Sequence, residues 1–181
     1  DALVLADSLR TDRRLFHLIV EESDRLNRIV SDFLEFARIR KPDLASCDIA
    51  RTIEDVALLL AKASGAGKPI QVETIGSLEC RADAEQVKQV VHNLARNALE
   101  ASPPGQPVTV RAYPQALLYS ISYDPRDGHQ KREETWGVTI DFIDRGPGLS
   151  PTVKKRLFEP FLTTKQGGTG LGLAIAHRIV E

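Results

Sequence analysis

No methionine occurs anywhere in the 181 residues, so the chain lacks a start residue and we read it as a piece of something longer. Cysteine is scarce too. Cys47 and Cys80 fit neither a metal-ligand spacing nor a disulfide framework, which excludes a stapled secreted scaffold and fits reduced thiols in a cytoplasmic domain. Net charge is nearly absent. The 24 Lys and Arg against 25 Asp and Glu leave −1, so bulk electrostatics give no case for nucleic acid or an anionic membrane surface. An anion would have to be held by a local site. No apolar run approaches transmembrane length, and no signal peptide is visible. What is present, 42% apolar and 27% charged residues, is the balance of a soluble globular protein. The length suits one ordinary domain plus an appendage, or two small domains.

From Thr11 to Arg40 the pattern is helical. Thr11 can serve as an N-cap, and Leu15, Ile19, Leu26, Val30, Phe33 and Ala37 recur at three- and four-residue steps. Residues 1–9 read as the tail of a preceding helix. An amphipathic helix of roughly 30 residues, ~45 Å long, exceeds what a small globular core needs and suits the seam of a helical hairpin or bundle. Pro42 ends it, and 41–48 reads as a linker. A second amphipathic helix follows at 49–63, then short strands at 70–75 and 78–82 and a helix over 83–101. Further strands are expected at 107–113, 117–123 and 136–144. The polar stretch 124–134 between the last two is a solvated hairpin extension in which His129 is a surface residue. A final helix starts near Leu171. Strands and helices mix without regular β-α-β alternation, so the expected fold class is α+β.

Glycines gather at 144-DRGPG-148 and 167-GGTGLGL-173. The second cluster runs straight into a helix start, where free N–H groups and the positive dipole end favour an anion, phosphate above all. Turn glycines with no ligand remain the other reading. A Walker A loop is excluded, because Gly67-Lys68 is followed by Pro69 and Lys62 stands where the first Gly belongs. A dinucleotide fingerprint is excluded by Leu173 and by the lack of a strand leading into the loop. Asp144 closes the apolar strand 138-VTIDFID-144. It either caps the turn or accepts a hydrogen bond from a ligand's amino group, an interaction of roughly 1.5–3 kcal/mol. In 92-HNLARNALEAS-102, Asn93 and Asn97 stand one turn apart at the edge of a stripe formed by Val87, Val90, Val91, Leu94 and Ala98. Asparagine is a poor helix-interior residue. The two are either interhelical hydrogen-bonding groups or cleft residues whose amide oxygens suit Mg²⁺.

Taken in order, four blocks resemble the nucleotide-binding motifs of the histidine-kinase catalytic domain, in the gyrase/mismatch-repair/kinase ATP-binding superfamily. Asn93–Asn97 resembles the N box and 144-DRGPG-148 the first glycine box. The block 157-LFEPFLTTK-165 resembles the F box and 168-GTGLGLAI-175 the second glycine box. The stretch 21-EESDRLNRIVSDFLEFAR-38 is similar to the second helix of the dimerisation and phosphotransfer hairpin, and the whole is closest to nitrogen-regulation-type sensor kinases. The resemblance implies a two-layer α/β sandwich of the Bergerat type, with a mixed sheet packed on helices, preceded by a long hairpin helix. Residues 1–41 would then be part of the hairpin, and 42–181 an ATP-binding domain that is incomplete at its C-terminus.

The resemblance also implies ligands and roles. ATP and Mg²⁺ are the cofactors. Asp144 binds the adenine amino group, with Gly146 and Gly148 shaping that pocket. Asn97 coordinates Mg²⁺, with Asn93 beside it at the phosphates. Gly168, Gly170 and Gly172 offer backbone N–H groups to the phosphates, in one loop with Thr169 and Leu171, and Lys165 is a phosphate contact. Asn97 and Lys165 are the residues nearest the chemistry. Phe158 and Phe161 anchor a lid over 162–170, a segment short of apolar anchors, so its opening should cost little. The implied partners are a second copy, through the hairpin, and a response regulator receiver domain. Neither nucleic acid nor direct membrane contact is implied, and a cytoplasmic location follows whether or not the parent is membrane-anchored.

Two departures stand out. The family's phosphoacceptor histidine is followed by an acidic residue and then a proline. None of His17, His92, His129 or His177 has that context, so the acceptor is expected upstream. The chain also stops at Glu181, where the family adds further strands. Two rival functions are an ATP-hydrolysing clamp of the same superfamily and a non-catalytic dimerisation module. In the clamps a water-activating glutamate occupies the position of Asn93, and an amide has no useful basicity for that task.

Overall fold

A computed structural model describes the backbone of residues 2–38, 40–64, 69–123, 130–165 and 168–181, with side chains described outside 2–12, 63–64, 117–123 and 130–135. The chain folds as two compact units, one made of 1–40 with 155–181 and the other of 41–154.

In the first unit, α1 runs unbroken over Ala2–Ala37. The expected break at Thr11 does not occur. An interior threonine costs only a few tenths of a kcal/mol, and residues 1–40 contain no Gly or Pro to stop propagation. The stripe residues Leu15, Ile19, Leu26, Val30 and Phe33 are 50–62% exposed, so a single chain leaves this apolar seam uncovered. The C-terminal helix spans Gly172–Val180. It is tied to α1 by Arg178, whose Nη1 donates to the Phe36 carbonyl at 2.9 Å while the guanidinium sits 5.2 Å from the Phe36 ring centroid.

The second unit runs β1 Ala45–Asp48, α2 Ile49–Ser64, β2 Ile70–Thr74, β3 Glu79–Ala82, α3 Ala84–Ala101, β4 Val108–Tyr123, β5 Gln130–Ile143 and α4 Pro151–Lys154; the C-terminal helix is therefore α5. One sheet has the order β2-β4-β5, with β2 parallel to β4 and β5 antiparallel to it; the other is the antiparallel pair β1-β3. Helices packed against a mixed sheet are what the α+β reading called for. Val108, Val110 and Ala112 alternate onto one face of β4, where they meet Ile53, Val56 and Leu60 of α2 and Val91, Ala95, Ala98 and Leu99 of α3. On the other face, Arg111 reaches its register partner Glu73 at 2.8 Å.

Four expectations need correcting. The second half of the supposed linker 41–48 is β1, too short at four residues to show a period, with Cys47 its single buried side chain. The strands 107–113 and 117–123 are one strand. Its Pro114 is tolerated because β2 has already ended. The Ala112 carbonyl accepts from Ile75 N–H on the β2 side, so Pro114, two residues on, turns its missing donor to that same, now unpaired, side. β5 begins at Gln130 rather than 136, because the polar stretch pairs with β4 as far as Tyr123↔Gln130. His129 and the hairpin tip lie outside the described residues. Finally, the buried stripe of α3 is Val91, Ala95, Ala98 and Leu99, while Leu94 is only half-buried.

Candidate functional site

The sequence-predicted site residues fall into two groups, one in each unit. In the second unit the group is built on α3. Asp83 starts this helix firmly: its carboxylate accepts from the N–H groups of Glu85 and Gln86 at 3.1 and 3.2 Å, and from Asp43 N–H at 2.9 Å. With the helix rotation fixed by its buried face, Asn93 is only 5% exposed. Its Nδ2 is buried and has no hydrogen-bond partner. Buried amide donors are normally satisfied, and leaving one unpaired costs about 1–3 kcal/mol. Asn97, one turn on, is half-buried. Between them the Nε of Arg96 is also buried without a hydrogen bond, although the same nitrogen lies 3.8 Å from Glu100.

The end of α3 carries the first glycine cluster. Ser102, buried just past the helix, accepts from Arg145 N–H at 3.2 Å. A Cβ on Gly146 would lie 2.9 Å from the Ala101 Cβ and 3.0 Å from its carbonyl oxygen, so only glycine permits the turn to press this close to the helix. Asp144 is exposed at the strand end, and its Oδ1 accepts from Gly146 N–H at 2.7 Å. Turn-capping thus occurs and occupies one carboxylate oxygen. Gly148 completes the turn with φ +74°. Sequence reasoning missed Ser102, whose one available signal was a small hydroxyl residue between a helix end and Pro103.

In the first unit the F block meets the second glycine cluster. Phe161 has φ +66°, a left-handed backbone rare for an aromatic residue, and its N–H donates to the Gly170 carbonyl at 3.1 Å. The two backbones cross so closely that a Cβ on Gly170 would sit 2.5 Å from the Phe161 carbonyl carbon. Both aromatic rings are largely exposed; Phe158 stacks on His177 with centroids 4.2 Å apart. Before them, Arg156 bonds Glu159 at 2.6–2.8 Å and holds its carboxyl below the ordinary carboxylate range.

Beyond the crossing, Thr169 Oγ1 donates to Asp32 Oδ2 on α1 at 2.5 Å and accepts from Leu171 N–H at 3.4 Å. Asp32 is a partner that sequence reasoning missed, being an ordinary acidic residue on a polar helix face. Leu171 is fully buried and Gly172 opens α5, whose N-terminus has no side-chain cap. Its first N–H groups therefore remain available to an acceptor. Gly168 is half-buried, and its N–H donates to the Lys165 carbonyl at 3.3 Å; Lys165 itself is exposed.

Among the described residues no group of three or more His, Cys, Asp or Glu could hold a metal ion. Asn97 could contribute one amide oxygen. That fits Mg²⁺, which commonly takes few protein ligands and completes its shell with water and phosphate oxygens. Each unit thus carries its own unpaired donors, the Asn93 amide in one and the uncapped N-terminus of α5 in the other.

Comparison with known proteins gives the family. Residues 82–181, more than half of the chain, match the family model described as histidine kinase-, DNA gyrase B-, and HSP90-like ATPase. The sensory histidine kinase/phosphatase NtrB of Rhodobacter capsulatus is 29% identical over 94% of this chain and 46% of that protein. The chain thus spans under half the length of this curated relative. The crystal structure of full-length ShkA in complex with AMPPNP is similar with a TM-score of 0.62 and 29% identity, covering 88% of this chain and 31% of that one. Histidine kinase ThkA in complex with response regulator TrrA shares the fold, with a TM-score of 0.62 and 24% identity over 91% of this chain and 42% of that one. The chain belongs to the histidine kinase-, DNA gyrase B-, and HSP90-like ATPase family.

Proposed function

We propose that this chain is the ATP-binding part of a sensor histidine kinase, with 42–181 as the nucleotide domain and 1–41 as part of a dimerisation and phosphotransfer hairpin. The observation that carries the reading is the buried, unpartnered amide of Asn93 in a helix of a nucleotide-binding family. A phosphate oxygen would satisfy that donor. Asn97 would offer its amide oxygen to Mg²⁺, which when bound neutralises phosphate charge. The free oxygen of Asp144 would accept from the adenine amino group, while Gly146 and Gly148 keep the backbone out of the base's way. The N–H groups of the Gly168–Gly172 loop, with Thr169 and Leu171, would face the phosphates, and Lys165 would add a positive charge. Phe158 and Phe161 would hold the loop's near end. These residues contribute positioning and charge stabilisation, which are the main terms in phosphoryl transfer.

In the whole protein the γ-phosphoryl would pass to a histidine outside these residues and then to a response regulator receiver domain. The uncovered seam of α1 supports pairing with a second copy through the hairpin. Among the described residues no helix is long and apolar enough to cross a membrane. Asn93, an amide where the related clamps use a basic carboxylate, argues against efficient hydrolysis.

Calorimetric titration with ATP, with and without Mg²⁺, tests the reading. Binding that strengthens with Mg²⁺ and weakens in Asn97→Ala is expected. Absence of ATP binding would refute it, and stable phosphohistidine on this chain would refute the placement of the acceptor.

A further inference from the structure

The two cysteines, unrelated by any sequence spacing, are brought face to face by the β1-β3 pairing, in which Cys47 and Cys80 are direct register partners. Directly opposed residues of an antiparallel pair point to the same side of the sheet, here the core side. Cys47 is buried and Cys80 half-buried against the same apolar cluster. The Cys80 thiol is pushed up by burial and, secondarily, by Cys47, as expected for two sulfurs that feel each other.

The phase of the ladder sets their spacing. Ile49 N–H donates to the Leu78 carbonyl at 3.1 Å, which makes 49 and 78 a hydrogen-bonded pair. Two residues along, Cys47 and Cys80 form the next hydrogen-bonded pair, with Cα atoms about 5.5 Å apart and Cβ atoms at the wide end of the roughly 4.5–5.5 Å range. A disulfide wants Cβ atoms about 3.8 Å apart, so direct oxidation would have to squeeze the ladder. A sulfur–metal–sulfur bridge, with metal–sulfur bonds of about 2.3 Å, spans roughly 4.5 Å in linear form and fits without that distortion.

Zinc is a poor match, since structural zinc takes four ligands and the described residues offer no group of three or more His, Cys, Asp or Glu. Hard cations need oxygen ligands. The Thr52 hydroxyl lies 3.8 Å from Cys47 Sγ and already donates to the Asp48 carbonyl. We propose that Cys47 and Cys80 form a two-thiolate site for a soft monovalent cation, copper(I). Binding releases one proton from each thiol and forms two copper–sulfur bonds, with no change in oxidation state. The site is independent of the nucleotide assignment.

Anaerobic titration of the chain with copper(I), supplied from a chromophoric chelator, tests it. One equivalent is expected to leave the chelator, with two sulfur neighbours in the copper X-ray absorption spectrum. Cys80→Ser and Cys47→Ser, each checked for folding by circular dichroism, are expected to lose that equivalent. The half-buried position of Cys80 makes its variant the safer one to fold. Retention of the parent's copper by a folded Cys80→Ser chain would overturn the proposal, as would fewer than two sulfur neighbours in the parent. Quantitative formation of an intramolecular disulfide on mild diamide treatment of the native chain would overturn the spacing argument.

Discussion

Replacing Gly170 with alanine should open the glycine loop without unfolding the protein, and the reason can be worked from two terms. Gly170 has φ +70°, where a residue with a Cβ pays on the order of 1–2 kcal/mol. The added methyl would also lie 2.5 Å from the Phe161 carbonyl carbon and 2.8 Å from both Phe161 Cα and Leu162 N, all backbone atoms that no rotamer change can move. Relieving such contacts by bending backbone angles costs about 4 kcal/mol for a 15° distortion. A loop whose anchors Phe158 and Phe161 are about half exposed has little burial with which to resist. The Phe161–Gly170 hydrogen bond should therefore give way, and the cost is then capped at the small free energy of local opening. Gly105→Ala is the control: φ is +79° but nothing lies within 4 Å of the new methyl, so only the backbone term remains. Mg·ATP affinity by calorimetry should fall at least about tenfold in Gly170→Ala, or about 1.4 kcal/mol, and proteolytic nicking within 162–170 should rise. The thermal midpoint should move by less than about 2 °C, since the larger unit's core is untouched. Equal affinity and equal nicking in Gly170→Ala and Gly105→Ala would show that the close crossing at Phe161 does not close the loop.

Asn93→Leu should raise the unfolding free energy measured in urea by up to about 1 kcal/mol, because it removes a buried unpaired donor, while it weakens ATP binding; a destabilised variant would mean the amide is satisfied in the native state. Asp144→Asn should reduce ATP affinity by about tenfold or more through loss of a charged acceptor, and unchanged binding would disprove the adenine contact. Asp83→Ala removes the acceptor of three backbone N–H groups, two of them in the first turn of α3, and should cost about 2 kcal/mol in a urea titration. Asp32→Ala frees Thr169 from α1, and hydrogen exchange at the Leu171 amide should accelerate if that bond steadies the loop.

What the sequence showed and what it hid follow from the range of the forces involved. The nucleotide motifs were legible because each is a local contradiction, asparagine inside an apolar helix or glycines against a helix start, that ordinary structure does not need. The helix expected over 83–101 forms over Ala84–Ala101, but the role of Asp83 as its cap shows only in the structure, where its side chain accepts from the N–H groups of Glu85 and Gln86. The unity of β4 was hidden, because tolerance of Pro114 depends on where β2 stops, and that is decided by a strand far away in sequence. β1 was hidden because four residues carry no period; only pairing with β3 makes them a strand, and the same pairing alone makes neighbours of Cys47 and Cys80. The continuity of α1 was misread because a possible cap was taken as a start, although a cap matters only where the helix would otherwise end. Asn93 and Asn97 show the limit most sharply. Their spacing marks both as unusual, but it cannot rank them. Burial does, since the more enclosed Asn93 holds the unpaired donor while Asn97 keeps access to solvent. A buried donor without a partner is a standing cost to the empty protein that a bound phosphate oxygen would remove. Nucleotide binding should therefore stabilise this helix beyond the contacts it adds, and binding and folding should be coupled most strongly at Asn93.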